Sequence, residues 1–330
     1  MTFAKKALIV GTVAAIGAGT TSAVIPVLAQ ATISGAGATF PAAFYQRAFA
    51  GVANKVRVNY QSVGSGSGIR QYVAGTVDFG ATDAPIKASE AAKVKRGVIQ
   101  FPAVGGTIAI AYNKADCKNL KLTQQQAVDI FLGKIKTWDQ LKCGKGKITV
   151  AHRSDGSGTT FAFTNSLSAF SSEWKSKVGE GKSVKWPVGV GGKGNEGVAG
   201  VVQNTSGAIG YLNQSYVRGA IKAAALQNKA GKFVLPTEAS GAAALNNIKL
   251  DSMLAGEEPN PAGANSYPIS TLTWILAYRT GNGAKAPAIR QAMLFLLSPK
   301  AQGQASSLGF VPLKGNILAA SKKAVSQIGQ

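Results

Sequence analysis

Acidic side chains are scarce: 14 Asp and Glu stand against 36 Lys and Arg in 330 residues, a formal net charge of +22. Histidine and cysteine are scarcer still, with one His and two Cys. One imidazole and two distant thiols leave a zinc site short of ligands. A Ser/His/Asp triad would have to use His152, and its neighbour Arg153 disfavours the imidazolium that such a base must form. No complete P-loop and no Gly-x-Ser-x-Gly elbow occurs. Charged residues make up only 15% of the chain and hydrophobic ones 45%, which excludes a disordered polyelectrolyte and leaves apolar material for one or two cores. The 40 glycines follow no three-residue period, so a collagen-like chain is excluded, and with 12 prolines they imply many turns rather than a helical bundle.

Long apolar runs are missing too, apart from one near the start. Lys5 and Lys6 precede the apolar stretch 7–18, and Gly19-Thr-Thr-Ser22 leads to Val27-Leu28-Ala29. The run is shorter than the roughly 20 residues of a spanning helix. It reads as a secretory signal peptide, residues 1–29, cut after Ala29, with an earlier cut after Ala23 as the alternative. Cutting there removes two lysines and no acid, so the exported protein stays strongly basic. No Cys lies near the cut to carry a lipid anchor. An exported chain meets an oxidising compartment, and Cys117 and Cys143 are expected to form a disulfide rather than two free thiols.

Beyond residue 31, short apolar runs alternate with helical segments, which points to α/β layers. The pattern predicts strands over 56–60, 79–81, 108–112, 148–152, 208–212 and 272–278. Helices are expected over 41–54, 68–74, 123–132, 159–169, 195–204 and 286–297. No linker separates two independent domains, so two lobes would share strands. Segments 182–197 and 256–267 read as loops. Within the first, Gly189-Val-Gly-Gly-Lys-Gly194 formally matches a dinucleotide fingerprint, but Pro187 sits where the strand should run, and it too reads as a loop.

Three Gly/Ser/Thr-rich stretches each precede a predicted helix: Gly35-Ala-Gly-Ala-Thr-Phe40, Gly64-Ser-Gly-Ser-Gly68 and Asp155-Gly-Ser-Gly-Thr-Thr160. A helix start exposes unpaired N–H groups and about half a positive charge, and glycine lets the backbone come close to a ligand. Singly, each stretch is an ordinary cap. Together they suit a small tetrahedral oxyanion, with hydroxyls from Thr39, Ser65, Ser157 and Thr159 as donors. Arg153 could reach the same anion while Asp155 orients its guanidinium. Asp83 stands among small and apolar residues. A carboxylate beside an anion makes sense when the ligand carries a proton, because a carboxylate only accepts hydrogen bonds.

These residues resemble the substrate-binding protein family of bacterial phosphate ABC transporters. The matching phrases are Ser34-Gly-Ala-Gly-Ala-Thr-Phe-Pro41, Val58-Asn-Tyr-Gln61, Thr76-Val-Asp-Phe-Gly-Ala81 with Asp83-Ala-Pro85, Gly133-Lys-Ile-Lys136 with Trp138, and Asp155-Gly-Ser-Gly-Thr159. Val184-Lys-Trp-Pro187, Gly191-Gly-Lys-Gly-Asn195, Gly207-Ala-Ile-Gly-Tyr211 and Pro268-Ile-Ser-Thr271 continue the series. The resemblance implies a two-lobed type II periplasmic binding protein fold, each lobe a mixed sheet flanked by helices, with the ligand in the cleft between lobes. It implies lobe 1 from 30–107 plus 268–330 and lobe 2 from 108–267. Phosphate would be held by Thr39, Phe40 through its backbone, Ser65 and Asp83 on one side, and by Arg153, Ser157, Gly158 through its backbone, and Thr159 on the other, with Asp155 steadying the arginine. The Ser65 loop departs from family members with adjacent serines, which leaves Ser67 without an assigned role. The implied protein is a periplasmic monomer, not an enzyme, without cofactor or metal, whose partners are inorganic phosphate and an inner-membrane permease. Arsenate or another protonated oxyanion is the alternative ligand. A phosphatase-like hydrolase would need a nucleophile or metal cluster that the sequence lacks, and a nucleic-acid binder would cluster the lysines that this chain scatters.

Overall fold

The computed structural model describes residues 30–246 and 248–329. The expected signal peptide, 1–29, lies outside the described residues. Among those described, no helix is long and apolar enough to cross a membrane.

Thirteen strands are seen in the described residues: β1 (Ala31–Gly37), β2 (Val56–Ser62), β3 (Phe79–Thr82), β4 (Val98–Asn113), β5 (Lys121–Leu122), β6 (Thr149–Arg153), β7 (Val190–Gly192), β8 (Ala208–Asn213), β9 (Lys222–Ala223), β10 (Ala225–Gln227), β11 (Phe233–Val234), β12 (Ser270–Tyr278) and β13 (Phe310–Val311). Ten of them form one sheet in the order β2-β1-β3-β12-β4-β8-β6-β7, with β13 and β9 also paired to β4. The other three make a small sheet, β11-β10-β5. Edge strand β2 alternates strictly, its Val56 buried and Arg57 exposed, as a strand with one wet face must. Central strand β4 runs for 16 residues, and all but Val98 and Asn113 at its ends are buried, so it is covered on both faces.

That long strand joins two half-sheets. β12 pairs antiparallel with its first part, from Tyr278↔Val98 to Ser270↔Thr107. β8 pairs with its second part, from Ile108↔Asn213 to Asn113↔Ala208. Each half therefore mixes directions: β1 runs parallel to β2 and β3, and β6 parallel to β7 and β8. The sheet order puts β1, β2, β3 and β12 in the first half and β6, β7 and β8 in the second.

Helices α1 (Ala42–Ala50), α2 (Ser65–Ala74) and α3 (Ala88–Ala91) accompany the first half. Helices α4 (Gln124–Phe131), α5 (Gly158–Phe170), α6 (Ser172–Lys177) and α7 (Gly194–Asn204) accompany the second. α8 (Glu238–Leu245) packs on β4, β12 and β13, and α9 (Ala286–Leu296), α10 (Pro299–Gln302) and α11 (Gly315–Val325) complete the first half. The segment leading into β12 touches both halves: Trp274 Nε1 donates to the Leu254 carbonyl at 2.7 Å, and Gln124 Nε2 to Asn260 Oδ1 at 3.0 Å. Aromatic rings fill both cores. Tyr45 sets its ring edge-on to Tyr60 at 5.1 Å in the first, and Phe163 stacks on Tyr211 at 4.2 Å in the second.

Several expectations shift. The predicted helix over 41–54 ends at Ala50, because Gly51 and the following residues form turns. The predicted helix over 68–74 begins three residues earlier, at Ser65, since Gly64 adopts φ 89° and serves as its cap. Reading 189–194 as a loop is corrected: Val190–Gly192 pairs with β6 in parallel, and α7 starts at Gly194. Pro187 stands just outside that short strand, so it removes no hydrogen bond from the ladder. Segment 256–267 carries no regular element, as expected.

Cys117 and Cys143 are bridged, with Cα atoms 5.1 Å apart across a separation of 26 residues. Closing such a loop contributes about 3 to 4 kcal/mol in the chain-entropy account. Replacing both cysteines with serine is expected to lower unfolding free energy by about that amount and to leave ligand affinity unchanged. Urea unfolding read alongside calorimetry checks both halves of the statement.

Candidate functional site

Parallel strands in α/β sheets offer their carboxyl ends to ligands, and here those ends face one another across the junction of the halves. β1 runs into Thr39 and Phe40, β2 into the start of α2, and β3 into Asp83. From the other side, β6 delivers Arg153 and the start of α5, and β7 the start of α7. Thr39, Ser65, Asp83, Arg153, Ser157 and Thr159 are all buried. Phe40 sends its ring into the core, 6.0 Å from Phe310, which leaves its backbone at the junction.

A continuous hydrogen-bond network links these groups. Arg153 donates from Nε to Asp155 Oδ1 at 2.8 Å and from Nη2 to Oδ2 at 2.6 Å, a two-pronged clamp that fixes the guanidinium plane. Asp155 also accepts from the Gly194 N–H at 3.0 Å. Burial opposes the Asp155 charge, but the Arg153 guanidinium outweighs it and holds the carboxyl below the usual carboxylate range. Nη1, the remaining prong, points to Thr159 Oγ1 at 3.4 Å. Thr159 in turn donates to Asp83 Oδ2 at 3.2 Å. The Asp83 N–H donates to Ser65 Oγ at 3.2 Å. Ser157 caps α5 by accepting from the Thr160 N–H at 3.0 Å. Half-buried Ser67 lies within the first turn of α2.

The backbones themselves meet here. The Gly66 N–H donates to the Gly156 carbonyl at 2.8 Å, from one half to the other. A Cβ on Gly158 would lie 2.6 Å from the Asp83 nitrogen and 2.7 Å from its Cα. Glycine is therefore required at that approach.

Four residues of the site were not among the expected ligands. Asn195 donates to Thr39 Oγ1 from its backbone at 3.0 Å and from Nδ2 at 2.8 Å, and Nδ2 also reaches Thr159 Oγ1 at 3.2 Å. Thr273 donates to Asp83 Oδ1 at 2.9 Å. Tyr211 accepts from the Arg153 N–H at 3.1 Å, and Tyr216 donates to the Thr39 carbonyl at 3.0 Å. Asn195 stood in a quoted phrase at the start of a predicted helix, a position whose polar side chain is a usable signal. Thr273 is one of several hydroxyl residues in β12, with Ser270 and Thr271 just before it, and nothing local tells which of them faces the site.

Burial raises the Asp83 carboxyl from 3.8 to about 6, against the opposing pull of Thr273, Arg153, Thr159 and Ser65. The folded protein therefore holds this proton more tightly than the unfolded chain. Its contribution to stability is complete below the unfolded value near 3.8 and is lost as pH rises through about 6. That window corresponds to a loss of about 3 kcal/mol. Urea unfolding at pH 4 and pH 7 is expected to show Asp83→Asn gaining on the wild type at the higher pH; a pH-independent difference would refute it.

Buried hydroxyl, amide and guanidinium donors facing one carboxylate, between two half-sheets that share a strand, define a two-lobed solute-binding protein. The PBP superfamily domain matches residues 20–300. Phosphate-binding protein PstS of Pasteurella multocida is 42% identical over 311 residues, covering 87% of this chain and 88% of that protein. Phosphate-binding protein PstS of Xylella fastidiosa is 42% identical over 305 residues, covering 87% and 82%. The chain belongs to the PstS family of phosphate-binding proteins. Among solved structures, a high-affinity periplasmic phosphate-binding protein bound with phosphate matches with a TM-score of 0.75 at 22% identity, over 91% of this chain and 99% of that one. The phosphate-binding protein from Stenotrophomonas maltophilia matches at 0.73 and 19% identity, over 89% and 94%. At these identities the two structures bear on the fold.

Proposed function

We propose that this protein captures inorganic phosphate between its lobes and delivers it to a phosphate ABC permease of the inner membrane. It does so as an exported periplasmic monomer, without chemical turnover. The lobes are 30–107 with 268–330, and 108–267. Thr39, Phe40, Ser65 and Asp83 bind from the first, and Arg153, Ser157, Gly158 and Thr159 from the second, with Asp155 orienting Arg153.

The observation that carries this reading is Asp83, 2% exposed, with Thr273 and Thr159 each donating to one of its carboxylate oxygens. Arg153 is positive while Asp83 and Asp155 are negative, so formal charge does not hold the anion. Local dipoles do: the starts of α2, α5 and α7 each bring about half a positive charge, and hydroxyls add directed donors in a site that excludes water. Asp83 accepts the proton of a P–OH group. Arsenate shares that proton and the tetrahedral shape, and would be expected to compete.

Calorimetry with phosphate, sulfate and arsenate, on protein freed of carried-over ligand, tests the reading. Binding of phosphate and arsenate with rejection of sulfate near neutral pH supports it. Equal binding of sulfate, or release of phosphate from a phosphomonoester, would overturn it.

A further inference from the structure

One ion pair among the described residues joins the two halves, and it lies outside the ligand network. Lys182 Nζ sits 2.8 Å from Glu90 Oε1 and 3.2 Å from Oε2. Both side chains are largely sheltered, at 17% and 27% exposure. Glu90 belongs to α3 in the first half, and Lys182 to the segment between α6 and β7 in the second.

Each partner is tied to a segment that faces the ligand. The Lys182 carbonyl accepts from the Ser157 N–H at 2.8 Å, and the adjacent Gly181 N–H donates to Thr164 Oγ1 on α5 at 3.2 Å. Lys182 therefore moves with α5. Glu90 follows β3 and Asp83 by a few residues. Its Oε2 accepts from the Lys87 N–H at 3.0 Å, and the N–H of Ile86, just before Lys87, donates to Gln100 Oε1 on β4 at 2.8 Å. Glu90 therefore moves with the end of β3. Separating α5 from β3, as opening the cleft requires, breaks the pair.

The geometry points to Lys182 and Glu90 as a latch that holds the closed cleft and sets how long phosphate stays. This rests on the phosphate-binding reading above. Cross-half bonds such as Thr159–Asp83 and Asn195–Thr39 involve groups that a ligand would engage. The latch does not, so its energy acts on opening and leaves recognition alone. A paired, half-sheltered contact of this kind corresponds to about a fivefold change in rate.

Release of radiolabelled phosphate into excess unlabelled phosphate tests it in full-length mature protein. Glu90→Gln and Lys182→Gln are each expected to release about fivefold faster, with association rate and the phosphate-to-sulfate preference unchanged. The double variant should match either single one. The charge swap Glu90→Lys with Lys182→Glu should restore slow release, and release from the wild type and the charge swap, but not from the single or double glutamine variants, should quicken with ionic strength. Unchanged release in both single variants, or a loss confined to association, overturns the latch. If the wild type takes up no phosphate, the functional reading falls and the latch with it; normal uptake with unchanged release sinks the latch alone.

Discussion

Asp83→Asn is expected to bind sulfate within about tenfold of phosphate, where the wild type is expected to discriminate by factors on the order of 10⁴ to 10⁵. A buried carboxylate has acceptors only, and fully ionised sulfate has no proton for it. Two like charges would then face each other in a dry cleft. An amide can turn its NH₂ toward a sulfate oxygen and its carbonyl toward Thr273, so the penalty disappears. The raised Asp83 carboxyl adds a second arm to the test: below about pH 6 it is itself protonated and can donate, so wild-type discrimination should narrow there. Calorimetric titration of both anions at pH 5 and pH 8 measures this. Retention of full discrimination by the amide variant would assign selectivity to some other group.

Gly158→Ala is expected to weaken phosphate binding at least a hundredfold while leaving the ligand-free protein as stable as before. Gly158 is the first residue of α5, where alanine fits the helix well. The added Cβ would come within 2.7 Å of Asp83 backbone atoms, which cannot swing aside as a flexible side chain could. Closure is blocked, while each half keeps its own packing. Gly200→Ala in α7 supplies the control, since a Cβ there meets nothing within 4 Å. It should gain about 0.4 to 1 kcal/mol of stability and bind normally. Near-normal affinity in Gly158→Ala would mean that the halves need not approach so closely.

Residues that act through their own chemistry could be read from the chain. Arg153 and Asp155 lie two apart on a strand end, and Ser157 precedes a helix, so their clamp and cap follow from short-range geometry. Asp83 was legible because its neighbours are small and apolar. Thr273 was not, since it meets Asp83 from 190 residues away and only the β12–β3 pairing brings them together. β1 was hidden for a different reason. Its sequence ATISGAG is rich in small residues and has little of the alternation that marks a strand, because both its edges are hydrogen-bonded and large side chains from neighbours fill the space. The first part of β4 was missed because Pro102 and two glycines interrupt it; β12 shifts register beside Pro102, while Gly105 and Gly106 pair regularly with Leu272 and Thr271.

β4 also governs how the molecule is made. Its first ten residues find their neighbours on β12, far ahead in the chain, and the rest find theirs on β8. A gene fragment ending before β12 would produce a strand with one side bare along most of its length, an invitation to aggregate. The first half cannot mature on the ribosome before the C-terminal stretch emerges, because β12 and the helices α9, α10 and α11 that complete it come last in the chain.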